Sequence, residues 1–260
     1  MESSFLLFSP PEQVEIFRGI LEQTGMKTRA EDIGQLVSCL QSIQTNLADA
    51  MEEVRYLMEQ IQPVEEPDMK ARLGRMQEEM LENLHRAGTQ VQAVESEVIG
   101  GIRNTMQALR AKGVQALDHV LDAAHVSQGL SRAETLLVQA VSGLEGKIRD
   151  VDCMAEEFHA MKGHAKNMGR AAMGKTAEEI TPRDNTIGAM ARIRAGMEYC
   201  KKLLEGLGEK ALMARAHVEH MHQTIELGPE NVASVQEIAK EFRDAKAMDA
   251  GRHPEPSQTR

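Results

Sequence analysis

Gly169-Arg170-Ala171-Ala172-Met173-Gly174-Lys175-Thr176 has the GxxxxGK[ST] spacing of a phosphate-binding loop. Such a loop needs a strand before it, backbone N–H groups that cradle phosphate, and a helix that opens at the Lys-Thr pair. Here the preceding residues carry amphipathic helical spacing, Pro182 follows within two turns, and no apolar strand ending in Asp supplies a magnesium ligand. The segment reads instead as the end of a helix. Gly174 is the left-handed residue after the last turn, and Lys175 sits at the negative helix terminus. Nucleotide hydrolysis is therefore rejected.

Nine histidines raise the question of a metal. Glu82/His85, Glu156/His159 and Glu219/His222 have the E-x-x-H spacing that di-iron bundles use, but those ligands must point into the bundle core. Each pair lies one residue past the apolar positions of its helix, so the spacing predicts a seam edge and no metal site. His217-Val218-Glu219-His220-Met221-His222, the densest cluster, is read as an exposed helix face. Cys39, Cys153 and Cys200 have no CxxC pairing and fall on or beside apolar stripes, where a thiol behaves as a small hydrophobe. They suit a reducing, cytoplasmic setting. No nucleophile elbow is present, so no catalytic residue, cofactor or small-molecule substrate is expected.

Lys162, Lys166, Arg170, Lys175, Arg183, Arg192, Arg194, Lys201 and Lys202 form the one basic stretch. Residues 159–202 carry 9 Lys+Arg against 4 Asp+Glu, whereas residues 1–98 carry 8 against 18, in a chain of formal charge −10. That overall acidity excludes a uniformly basic nucleic-acid binder. No aromatic platform for bases accompanies the basic stretch. At most Lys162, Lys166, Arg170 and Lys175 would contact phosphates without reading sequence.

The elements that would position these groups are helices. Ile33, Leu36, Leu40, Ile43, Leu47, Ala50, Val54, Leu57 and Ile61 recur at alternating steps of three and four. A 3.5-residue period puts them on one narrow stripe that must be buried against another helix. Met190, Ile193, Met197, Cys200, Leu204 and Leu207 begin an equally regular seam that continues to Ile225. The pattern predicts helices at about 10–24, 28–61, 68–126, 131–173, 186–226 and 230–248, with a flexible 1–9 and a disordered tail from 249. Ser9-x-x-Glu12, Thr28-x-x-Glu31 and Ser131-x-x-Glu134 are capping-box starts, and Gly129 is a stop. The phase slip at Gly100-Gly101 predicts a kink. No strand-like alternation occurs, and nowhere do enough apolar residues run together to span a membrane. The fold class is all-α: an elongated antiparallel helical bundle or coiled coil of about six helices, two of them short. It divides into an N-terminal segment, 10–126, and a C-terminal hairpin, 131–226.

Lys112-Gly113-Val114-Gln115-Ala116-Leu117-Asp118, the stretch His164 to Lys175, and Pro182-Arg183-Asp184 before a long helix resemble a family of uncharacterised helical proteins. That family is encoded on integrative and conjugative elements of Firmicutes, many from gut bacteria. The resemblance runs from the first short helix to about residue 222. It implies a cytoplasmic, element-encoded accessory protein, and no catalytic residue can be carried over from it. The expected role is a non-enzymatic scaffold that self-associates or binds partner helices through the seams at 33–61 and 190–225. The alternative is an accessory DNA-binding protein that uses the 162–202 surface.

Overall fold

Ser9 opens the first helix. The Glu12 carboxylate accepts hydrogen bonds from the Ser9 N–H at 2.7 Å and the Ser9 Oγ–H at 2.8 Å, a capping interaction that ties down otherwise orphaned donors. The structure, a computed structural model, describes residues 9–62, 64, 66–112, 123–181, 188–227 and 233–250. Its helices are α1 (Pro10–Gln23), α2 (Lys27–Ile61), α3 (Pro67–Lys112), α4 (Ala123–Ala172), α5 (Ala189–Leu227) and α6 (Val235–Ala250). Among the described residues there is no strand, and no helix is long and apolar enough to cross a membrane. The helices pack into an all-α bundle.

The chain divides into two compact units that cut across the sequence rather than along it. One comprises Met1–Thr45, Gly88–Thr135 and Gly208–Arg260; the other comprises Asn46–Ala87 and Leu136–Leu207. The division of the sequence into a segment and a hairpin therefore does not match these units.

In the first unit, polar bonds mark a ring of four helices. Gln44 of α2 donates to Glu95 of α3 at 2.5 Å, Gln90 of α3 to the Gly129 carbonyl of α4 at 3.4 Å, and Lys210 of α5 to Ser42 of α2 at 2.6 Å. Arg215 of α5 meets the buried Glu134 of α4 at 3.8 Å, closing the ring. The ring encloses Ile33, Leu36, Leu40 and Ile43, each fully buried. Burying such an aliphatic side chain contributes about 1.5–3 kcal/mol, which is why the stripe forces helix pairing. Phe17 and Leu21 dock α1 on this unit, and Arg18 donates to the Ala30 carbonyl at 3.2 Å. Ile238 and Ala239 dock α6 against Leu212 and Ala216, with the Arg215 guanidinium 3.9 Å above the Phe242 ring.

The second unit repeats the ring. Gln77 of α3 donates to the Val54 carbonyl of α2 at 2.9 Å, and Lys147 of α4 pairs with Glu79 of α3 at 2.7 Å. On α4 and α5, Glu145–Lys201 and Asp152–Arg194 pair at 2.7 and 3.0 Å. The chain advances one heptad on α4 while it retreats one on α5, so these helices are antiparallel.

Several boundaries differ from the sequence reading, for identifiable reasons. Gly129 and Ser131 lie inside α4 and do not end or start a helix. Gly129 is a close-approach glycine: a Cβ there would lie 2.6 Å from Val94 Cγ2 of α3. The sequence signal for a stop was a signal for tight packing. Helix α3 is assigned to Lys112 where the pattern ran to 126, and the positions Leu117, Val120 and Leu121 lie outside the described residues. It is helical on both sides of and across Gly100-Gly101. Helix α2 begins at Lys27, with the Ala30 N–H bonded to the Met26 carbonyl, so Thr28 stands in the first turn and is not the cap. Helix α6 starts at Val235 and not 230, behind a capping box in which Glu237 accepts from the Ser234 N–H and Oγ–H. The Ser-x-x-Glu spacing at 234–237 is the sequence signal for that start. The expectations for 1–8 and 251–260 lie outside the described residues.

Candidate functional site

The end of α4 is built from the nucleotide-loop look-alike. Gly174 has φ +70°, a left-handed conformation that costs a Cβ-bearing residue energy. The Lys175 N–H bonds the Arg170 carbonyl at 2.9 Å and the Gly174 N–H bonds that of Ala171 at 2.9 Å. This pair of bonds closes a helix C-terminus and leaves no N–H cradle for phosphate.

After Gly174 the chain turns back as a strap along α4. Asn167 donates to the Glu178 carbonyl at 2.7 Å and accepts from the Glu178 N–H at 2.8 Å. The Arg170 Nε–H donates to the Thr176 carbonyl at 2.9 Å, and a His159 ring nitrogen lies 2.9 Å from the Thr181 carbonyl oxygen. Ile180 presses on Gly163. The Glu178 carboxylate pairs with Lys166 at 2.8 Å and Arg170 at 2.6 Å. The Lys166 hydrogen bond, then the charges of Arg170 and Lys166, hold its carboxyl below the usual range. Two of the four residues proposed to touch phosphate are thus already engaged by the chain. Lys162 and Lys175 are exposed and make no ion pair among the described residues. Arg194 and Lys201, farther along the basic stretch, bind Asp152 and Glu145, and these partners raise the proton affinity of both cations. Arg183 lies outside the described residues.

The apolar seams proposed to bind other helices are closed within the chain. Ile33, Leu36, Leu40 and Ile43 are buried in the first unit; Leu47, Val54, Leu57, Ile61, Ile193, Met197, Leu204 and Leu207 are buried in the second. Met190, near the start of α5, is only half-buried. The large aliphatics of these stripes already have their partners.

The α4 seam does not close at its far end. Helix α5 starts at Ala189, five residues before Arg194, and so begins beside the residue five past Asp152, namely Glu157. The same counting from Glu79–Lys147 brings the first residue of α3, Pro67, beside His159. Residues 160–172 therefore project past α3 and α5 for about 20 Å, at ~1.5 Å per residue. Met161, Ala165, Met168 and Ala172 continue the three-and-four spacing on this projection and all are exposed, Met161 at 53% and Met168 at 73%. At 100° per residue, this stripe lies opposite the Gly163, Asn167 and Arg170 face that the strap covers. The weaker continuation of the α4 seam through Met161, Ala165 and Met168 is visible in the sequence. That it stays exposed among the described residues is not.

A second cluster escaped the sequence reading. Asp32 is buried beside Ile33 on α2, and its two carboxylate oxygens bind His217 Nδ1 at 2.8 Å and His220 Nδ1 at 2.5 Å. An ionised carboxylate only accepts, so each imidazole carries its proton on Nδ1. The side chains of both histidines are largely buried, which corrects the expectation of an exposed face. The i, i+3 spacing of His217 and His220 puts both on the α5 side that meets α2, and it was the available signal. The arrangement satisfies a buried charge and ties α2 to α5. Among the described residues no group of three or more His, Cys, Asp or Glu is placed to hold a metal ion.

Of the cysteines, all free, Cys153 is exposed and Cys200 buried. Burial, then the Glu53 charge, pushes the Cys200 thiol up to about 12, which disarms it as a nucleophile. Burial also raises Cys39, with Lys210 opposing.

Helices that pack against one another in each unit, with no strand among the described residues, define an all-α bundle protein. No curated protein and no solved structure matches the chain. The chain belongs to a family of unknown function, DUF6674, whose model matches residues 11–260.

Proposed function

We propose that this protein is a non-enzymatic interaction protein that presents the projecting end of α4 to a macromolecular partner. The observation that carries the reading is the exposed Met161, Ala165, Met168 and Ala172 stripe, which continues a bundle seam where α3 and α5 have ended. Methionine suits such a surface because its flexible, polarisable side chain adapts to the shape it meets. The resemblance of 164–175 and the 182–184 linker to proteins of integrative and conjugative elements supports a setting on a mobile element. The three free cysteines support a cytoplasmic one.

Site-specific photo-crosslinking in a cell that carries the element tests this reading. A crosslinker at Met168 should give discrete adducts, whereas one at the exposed Gln107 of α3 should not. Equal labelling from both positions would refute it. The second reading, an accessory DNA-binding role, draws on the absence of Asp and Glu from residues 158–175. It requires salt-sensitive binding of duplex DNA that Lys166→Glu and Arg170→Glu weaken, although Glu178 already competes for both cations.

A further inference from the structure

We infer that the α4 projection is a docking site for an acidic amphipathic helix on another protein. The inference rests on the reading of this stripe as an interaction surface and adds the chemistry of what covers it. The stripe has helical periodicity, so its natural complement is a second helix laid along it. The rim decides the charge of that helix. Lys162 stands on one side of the stripe and Lys175 at its end, and residues 158–175 hold four Lys+Arg and no Asp or Glu. The strap takes Lys166 and Arg170 through Glu178 on the far side, so Lys162 and Lys175 remain to meet a partner. A second copy that used the same stripe would bring two such rims together, and like charges across a helix pair repel. A partner with Leu or Ile at its seam and Glu along both flanks meets neither objection.

The experiment uses the full-length chain and two labelled synthetic helices with identical leucine stripes, one flanked by Glu and the other by Lys, read by fluorescence anisotropy. Duplex DNA and vesicles of phosphatidylglycerol are titrated in parallel. The Glu-flanked helix should bind, and more weakly as salt rises. The double substitution Met161→Ser with Met168→Ser should weaken it by about tenfold or more, the effect of removing central anchors. Lys162→Glu should weaken it severalfold, and Tyr56→Ser, at another exposed apolar residue, should leave it unchanged. All of the substituted side chains are exposed, and far-ultraviolet circular dichroism verifies that each variant is folded. Equal binding of the Lys-flanked helix, insensitivity to the methionine changes, or binding of DNA or vesicles without the Glu-flanked helix would overturn the inference. If crosslinks form from Met168 in cells but the acidic helix does not bind, the interaction reading stands and the acidic partner falls.

Discussion

Replacing Gly129 by alanine should destabilise the protein, although the same change at Gly88 or Gly143, where the space is open, should stabilise it. Alanine gains about 1 kcal/mol over glycine in a helix interior. At Gly129, however, the new methyl would lie 2.6 Å from Val94 Cγ2, against an optimum of ~3.5–4.0 Å for carbon pairs. Val94 is buried and β-branched, so it has little rotamer freedom to move aside. Overpacking of this kind costs about 1–3 kcal/mol, which outweighs the propensity gain by roughly 1 kcal/mol. At Gly88 and Gly143 nothing lies within 4 Å of the place a methyl would occupy, so alanine there should keep its full gain. Thermal unfolding read by circular dichroism should therefore move in opposite directions, by about 2–4 °C per kcal/mol. A Gly129→Ala protein as stable as the parent would refute the close approach of α3 and α4.

Other expectations follow from the same geometry. Asp32→Ala leaves two largely buried Nδ1–H donors without their acceptor and should cost about 1–3 kcal/mol in urea denaturation; no loss would show that the cluster ties nothing together. Alkylation followed by mass spectrometry should label the exposed Cys153 in the native protein and reach Cys200 only on unfolding. Because the folded Cys200 pKa is raised from 9.0 to about 12, its contribution is complete below pH 9.0 and is lost as pH climbs toward 12, so urea midpoints should fall across that window. Glu178→Gln should loosen the strap and speed tryptic cleavage after Lys175. With the Glu178 pKa lowered below 4.5, the strap's ion pairs are complete above that value and lost as pH falls below it, so amide hydrogen exchange of residues 176–180 should rise relative to that of unfolded peptide as pH drops through that range.

The sequence by itself determined the fold class and most of the core. A stripe such as Ile33, Leu36, Leu40 and Ile43 is a local pattern, and burial of aliphatic side chains at a helical period admits no other secondary structure. The helix end at Gly174 was equally legible, since a left-handed glycine and its two backbone bonds involve only neighbouring residues. Tertiary structure alone decided which stripes face one another. A seam residue states that it needs a partner and does not name one, so whether the seams at 33–61 and 190–225 pair within the chain or between chains was open in the sequence, and the structure buries their large aliphatics within the chain. The same reason hid Gly129, whose meaning depends on Val94 across the helix pair, and the Asp32, His217 and His220 cluster, in which Asp32 lies far in sequence from the two histidines. It also hid the projection of α4, because an uncovered stripe and a covered one carry the same letters, and only the ends of α3 and α5 distinguish them.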